Sequence, residues 1–506
     1  MSGRDLLRDP CWQAADLGHP LPDAVHAVSV ALPRWQDVIA YEEKDPACRD
    51  ALRAIYPRFG FHPLVEELAR CALAATNAPD TTNAPDTTSA WPYPTEAAAR
   101  AAQTHCRRTA PEAHTSIAMV RDLPCLIADQ NSTAAAKAFW QHAGLGASSR
   151  LAAIALERES APAPEAGVAA KRTLIERLAR IYGCPAAAIS LHPSGMAALH
   201  QALRRVCALR PGRPTLQIGF PYVDVLKQPQ VLFHGGELLL DPSPSAVEAA
   251  LDRLQPMAVV VELPSNPLLR CVDLAAIAEL AHARAIPVIA DDTIGSAMNI
   301  EALPNADLVF SSLTKSFAGR GDVLAGSLIV SPESRWLQPG GDGDDLNAGA
   351  LAPLADADAI ALEEGSRDLE ERLPRLNRHA LELAERLEQH PAVARVFHPA
   401  GCPNFRALMR PSSGHGCAEP GHGCLLSFEL KGGRAKAQRV YDALAVCKGP
   451  SLGTTFTLCC PYVLLAHYDE LGWAESCGVP SHLLRVSVGL EDPEELWSRF
   501  HTALSA

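Results

Sequence analysis

One amine, Lys315, ends the run Ser311-Ser312-Leu313-Thr314-Lys315, and about two dozen residues earlier Asp291 closes the apolar stretch Ile286-Pro287-Val288-Ile289-Ala290. A primary amine among hydroxyls can condense with an aldehyde while the hydroxyls bond a phosphate. A carboxylate at a strand end can keep a pyridine nitrogen protonated. Together these are the needs of pyridoxal phosphate (PLP), which forms a Schiff base with a lysine and uses its ring as an electron sink. A surface lysine behind a strand and an unrelated buried acid would read the same, so the short run decides nothing by itself.

Further pieces follow the same chemistry. Leu191-His192-Pro193-Ser194-Gly195-Met196-Ala197-Ala198 is a small-residue turn opening an Ala/Leu-rich helical stretch, whose first backbone N–H groups form an anion site. Gly219-Phe220-Pro221-Tyr222 and Glu262-Leu263-Pro264-Ser265-Asn266-Pro267 come next, then Ser451-Leu452-Gly453 and Leu484-Arg485-Val486-Ser487-Val488-Gly489-Leu490-Glu491. In this order the pieces resemble the Cys/Met-metabolism family of PLP enzymes, which includes cystathionine γ-synthase, cystathionine lyases and methionine γ-lyase. The likeness is strongest with the fungal type of cystathionine γ-synthase, which carries an N-terminal extension like Leu17-Gly18-His19-Pro20-Leu21-Pro22-Asp23 through Tyr56-Pro57-Arg58-Phe59. It covers nearly the whole chain.

The resemblance implies a type I PLP-dependent transferase fold, aspartate aminotransferase-like. That is an α/β architecture with a mainly parallel central sheet, a smaller C-terminal α+β domain and an N-terminal extension. The expected division is 1–168, 169–345 and 346–506. Carried over residue by residue, Lys315 is the Schiff-base lysine and proton shuttle, and Asp291 pairs with the pyridine nitrogen. Tyr222 stacks on the ring and assists proton transfer, and Asn266 bonds the phenolic oxygen. Gly195, Met196, Ser312 and Thr314 hold the phosphate. Arg485 grips the substrate carboxylate, with Ser451 beside it. Asp292 stands where the family has Asn. Family members also borrow a Tyr-x-Arg pair from a neighbouring subunit; here Arg150 is kept, but Ser148 occupies the tyrosine's place. Arg150 therefore implies active sites shared across a homodimer or homotetramer.

The 506 residues are enough for two or three cores, and a net charge of −13 gives no basic face for nucleic acid. The polar opening Met1-Ser2-Gly3-Arg4-Asp5 and the lack of a membrane-length apolar run point to a cytoplasmic protein. Fifteen scattered cysteines are expected to be reduced, with Cys459-Cys460 as packing residues. Gly414-His415-Gly416-Cys417 and Gly421-His422-Gly423-Cys424 bring two His and two Cys close together, but without the usual gap between zinc ligands. No metal is expected.

Along the chain, Asn77-Ala78-Pro79-Asp80-Thr81-Thr82 repeats as 83–88 and reads as an exposed loop, and 159–167 as another. Helices are expected at 95–108, 132–142, 171–182, 194–209, 274–283 and 369–389, and β-branched strands at 258–261 and 288–290. This alternation predicts a parallel sheet covered on both faces, with ligands at the carboxyl ends of its strands. Pro339 to Asp345 reads as a Gly/Asp-rich connection.

The family's reaction removes the Cα proton, then a Cβ proton, and expels a group from Cγ. A thiol then adds at Cγ, or a proton returns. The default expectation is cystathionine γ-synthase, an O-acylhomoserine plus cysteine. The alternative is a γ-lyase of specialised metabolism on a γ-halogenated or unsaturated amino acid, such as 4-chloroallylglycine to propargylglycine. Ser148, and Arg320-Gly321 where many relatives read His-Ser, mark a modified site. A catalytically inactive regulatory protein of the same fold is the remaining possibility.

Overall fold

The computed structural model describes residues 4–75, 88–337, 350–411 and 420–505. The Asn-Ala-Pro-Asp-Thr-Thr duplication through residue 87, the 339–345 segment and the first His-x-Cys copy lie outside the described residues.

Three sheets organise the chain. The first is antiparallel, β1 (Ser89–Pro92), β2 (Thr115–Val120) and β3 (Leu123–Ala128), ordered β1-β3-β2. It was not foreseen in the sequence. The central sheet contains β4 (Ile189–His192), β5 (Thr215–Ile218), β6 (Gly236–Leu239), β7 (Ala258–Glu262), β8 (Val288–Asp291), β9 (Leu308–Ser312) and β10 (Gly326–Val330), ordered β4-β10-β9-β8-β7-β5-β6. The pairs β6-β5, β5-β7, β7-β8 and β8-β9 are parallel, and β10 runs antiparallel to both β4 and β9. The expected mainly parallel sheet is present.

Its sequences show why both faces are covered. Val259 and Val261 enter one core with Val288 and Ala290, while Val260 and Ile289 enter another with Leu199, Leu203 and Phe310. Side chains that alternate across a strand and are apolar at every position need a layer on each side. Helices Gly195–Leu209 and Leu274–His282 provide two of those layers, near the predicted bounds. The expected loop at 159–167 is only half right. Pro164 takes the first helical position, where its missing N–H costs nothing, and the helix runs Pro164–Tyr182.

The C-terminal sheet is β11 (Val393–Phe397), β12 (Leu425–Leu430), β13 (Cys447–Lys448), β14 (Leu458–Pro461) and β15 (Leu484–Ser487), ordered β11-β12-β15-β14-β13, with only β13-β14 parallel. Helix Leu369–Glu388 buries Leu373, Leu376, Ala380, Leu383 and Leu387, an apolar stripe at helical spacing. The extension docks on this sheet: Trp35 and Val38 share its core with Val440 and Tyr441. Tyr441 donates to the Leu32 carbonyl at 2.7 Å and Lys448 Nζ to the Pro33 carbonyl at 2.8 Å.

No helix among the described residues is long and apolar enough to cross a membrane, and no described group of His, Cys, Asp and Glu could hold a metal ion. In the second His-x-Cys copy, His422 packs beside His398 and Phe405, and Cys424 is buried against Ser487. Every described cysteine is unpaired, and Cys459 and Cys460 are core residues.

Candidate active site

The carboxyl ends of β7, β8 and β9 open into one cavity of about 1650 Å³, its mouth included. Lys315, Asp291, Asn266, Tyr222, Gly195, Met196, Ser312, Thr314 and Arg485 all line it. Thus nine positions from six sequence stretches converge. Ser451 completes the set by accepting a hydrogen bond from Lys315 Nζ at 3.2 Å.

Local geometry explains each placement. Ser194 caps helix Gly195–Leu209 by accepting from the Ala197 N–H at 3.0 Å. The Gly195 and Met196 N–H groups, in the first turn, have no acceptor within the helix and face the cavity as an anion site. A Cβ on Gly195 would sit 2.7 Å from Ser312 Cβ, so glycine is what lets the Ser312 hydroxyl approach that helix end. Gly453 (φ +76°) lets the Ser451 loop lie against Lys315, since a Cβ there would meet the Ser316 nitrogen at 2.3 Å. The Thr314 hydroxyl accepts from the Ala325 N–H at 3.0 Å, so it also ties the lysine turn to β10.

Asp291 is buried, with the Thr293 N–H at 2.9 Å. Burial pushes its carboxyl up to about 7. Asp292, the departure from the family's Asn, accepts from the Tyr182 hydroxyl at 2.8 Å and is pushed by burial up to about 6. Arg485 donates to the carbonyls of Pro450 (2.8 Å) and Ser451 (3.1 Å), reaches Asn266 Oδ1 at 3.4 Å and lies over the Tyr462 ring.

This donor set fits PLP. An anion cradle, a lysine and a buried acid open to one cavity, and the acid's burial calls for a cationic partner such as a protonated pyridine.

Comparison with known proteins agrees. Residues 166–505 match the Cys/Met metabolism PLP-dependent enzyme family. The chain belongs to that family. It is therefore a PLP-dependent enzyme, as the resemblance implied. Among curated relatives, cystathionine γ-synthase of Neurospora crassa is 31% identical, with 97% of this chain and 98% of the relative aligned. The L-2-amino-4-chloropent-4-enoate dechlorinase/desaturase of Streptantibioticus cattleyicolor is 34% identical, over 96% and 97%. Among solved structures, cystathionine γ-synthase from Xanthomonas oryzae pv. oryzae in complex with aminoacrylate and cysteine superposes with a TM-score of 0.57 at 27% identity, covering 66% of this chain and 85% of that one.

Against that family background, Arg150 lies apart. It donates to the Asp322 carbonyl at 2.6 Å and approaches the Asp358 carboxylate at 3.6 Å, and it does not line its own chain's cavity. Ser148, in the tyrosine's place, caps helix Ser149–Ala155.

Several site residues went unassigned in the sequence. The buried carboxyl of Glu262 accepts from the Tyr222 and Asn266 N–H groups, each at 2.9 Å, and so fixes both loops. Burial and the nearby Asp291 charge push its pKa well up. Its signal was an acid ending the apolar run 258–261. The extension contributes Tyr56, Arg58 and Phe59 to the cavity wall. It is held in its own chain's cavity wall by Arg58, which pairs with Asp224 at 3.3 Å and donates to the Leu465 and Ala466 carbonyls.

Proposed function

We propose that this enzyme eliminates a small, uncharged substituent from Cγ of an L-amino acid, with a γ-halogenated, unsaturated amino acid as the substrate class. PLP, when bound, supplies the electron sink for a Cα carbanion. Lys315 moves the protons at Cα and Cβ. Asp291 holds the ring nitrogen protonated, while Gly195, Met196, Ser312 and Thr314 hold the phosphate. Tyr222 and Asn266, both fixed by Glu262, set the ring's position. Arg485 grips the α-carboxylate bidentately, with Ser451 orienting Lys315.

One observation carries the choice of leaving group. The cavity wall includes Ile55, Phe59, Phe61, Val65, Trp140 and Leu465 beside the uncharged Gln141, Ser148 and Ser149, and the charge of Arg58, its guanidinium other than Arg485, is answered by Asp224. His62 is pushed by burial down to about 4 and so stays neutral near pH 7. A succinyl or phosphoryl tail would therefore bring its anion to a wall with no free cation among the described residues. Halide departure needs none. The 34% identity to a dechlorinase/desaturase over nearly the full length supports the same reading.

The second reading is cystathionine γ-synthase, favoured by the 31% full-length match to the Neurospora enzyme. Both readings place the enzyme in the cytoplasm as a homodimer or homotetramer, with Arg150 reaching a neighbour's phosphate. The test incubates the PLP-loaded enzyme with O-succinyl-, O-acetyl- and O-phosphohomoserine and with 4-chloroallylglycine, each with and without cysteine. Cysteine-independent halide release, with the anionic esters inert, is the expected result. Cystathionine formation well above 2-oxobutanoate release would establish the synthase instead.

A further inference from the structure

This inference rests on the assignment of Lys315 as the amine that carries PLP and moves the Cα proton. Two hydroxyls meet its tip: Ser451 Oγ lies 3.2 Å from Nζ and Tyr56 Oη 3.1 Å. The tip rides on a flexible four-carbon stem, so its reach depends on how firmly the backbone at the root of that stem is fixed. A misplacement of about 1 Å between reacting atoms can cost roughly 100-fold in rate.

Behind the lysine turn lies a guanidinium that the site as described does not use. Arg372 is 3% exposed and does not line the cavity. Its Nη2 donates to the carbonyls of Ser316 at 3.2 Å and Phe317 at 2.9 Å, the two residues that follow Lys315. Its Nη1 donates to the Gly365 carbonyl at 3.3 Å and to Asp368, whose carboxylate is largely exposed. A buried charge is costly unless its donors are matched, and here the buried matches are main-chain oxygens. What the guanidinium stabilises is therefore the course of the backbone.

The turn is shaped to receive it. Gly319 has φ +72°, and a Cβ there would sit 2.5 Å from Arg372 Cζ and Nε. The Gly319 N–H in turn donates to the Lys315 carbonyl at 2.9 Å. Gly453 comes up against the Ser316 nitrogen while Arg372 takes the Ser316 carbonyl, so the residue after the lysine is held from both of its peptide groups.

Arg372 also sits where the two halves of the site are joined. Its helix, Leu369–Glu388, begins in the core of the central sheet, where Leu369 and Leu373 pack with Leu313 and Ala318. Further along, Ala380, Leu383 and Leu387 share a core with Leu484 and Val486, which flank Arg485 on β15. We propose that Arg372 is a positioning residue. It fixes the backbone of Lys315 at a set distance from Arg485, so that an amino acid held by its α-carboxylate presents its Cα proton to Nζ.

Arg372→Lys keeps a charge and an alkyl stem, but one ammonium replaces the planar fork and cannot serve Ser316, Phe317 and Gly365 together. Gly319→Ala acts from the other side, its methyl displacing the guanidinium while Arg372 is kept. In the PLP-loaded enzyme, Cα deuterium exchange of L-norvaline in D2O, which needs no γ leaving group, is followed by NMR. Each variant is expected to lose about 30- to 100-fold in maximal exchange rate with KM within about threefold, because Arg485 still grips the carboxylate. In the cofactor-free protein, amide hydrogen exchange read by mass spectrometry should quicken about 10-fold or more over residues 313–319, with helix Gly195–Leu209 unchanged. Unchanged maximal rates, unchanged protection over 313–319, or rate, KM and helix protection all shifting together would overturn the positioning role alone. A wild type that exchanges no Cα proton would overturn the assignment of Lys315 and the positioning role with it.

Discussion

Replacing Asp291 by Asn in the cofactor-free protein tests the electrostatic reading of the site without any turnover. Burial lifts the Asp291 carboxyl from an ordinary 3.8 to about 7; hydrogen bonds from Thr293 pull it back, and the neighbouring Asp292 adds to the rise. A raised carboxyl holds its proton more tightly in the folded than in the unfolded state. Between roughly pH 4 and 7 the native protein therefore binds the extra proton, and stability falls as pH rises through that window. At about 1.36 kcal/mol per pH unit, a gap of about three units corresponds to about 4 kcal/mol. Water reaching the carboxyl through the cavity mouth reduces this, so about 1–4 kcal/mol is expected. The assay is urea unfolding followed by tryptophan fluorescence at a series of pH values from 5 to 8. Asp292 and Glu262 are raised in the same direction, so the variant keeps part of the slope; the difference between the two profiles belongs to Asp291. Loading PLP should flatten the wild-type profile, because a protonated ring nitrogen gives the ionised carboxylate its partner. Parallel profiles for wild type and Asp291→Asn, or a steeper fall in the variant, would refute the reasoning.

Lys315→Ala should lose the internal-aldimine absorbance band and all turnover; visible spectra and product analysis read both. Arg485→Lys loses the bidentate grip on the α-carboxylate and should lower kcat/KM by about 10- to 100-fold, mainly through KM, in steady-state kinetics. Arg150→Ala and Lys315→Ala should each be weakly active or inactive alone, yet mixing and reassembling their subunits should restore a measurable part of wild-type activity. If no activity returns in mixed oligomers confirmed by native mass spectrometry, the sites are not shared.

How much of this was legible in the sequence follows from the range of each interaction. The lysine turn, the acid ending β8 and the glycine opening a helix are local devices, each a strand end or helix start whose residue types announce the backbone around it. The unbroken β-branched run Val259, Val260 and Val261 likewise announces a strand buried on both faces. The loop assigned to 159–167 failed for a local reason too: Pro164 and Gly167 read as breakers, but proline is tolerated at the first helical position. The unforeseen parts depend on pairings that no window contains. Glu262 matters because its carboxyl bonds two loops at once, and Arg58 because its partner Asp224 is 166 residues away. Tyr56 stood in plain view within Tyr-Pro-Arg-Phe, a recognised piece of the extension, but nothing in that stretch says which cavity it enters. The docking of Trp35 and Val38 on the C-terminal sheet decides that, since it aims the following turn at Lys315. The fold of the N-terminal extension thus places a phenol on the one amine the chemistry requires.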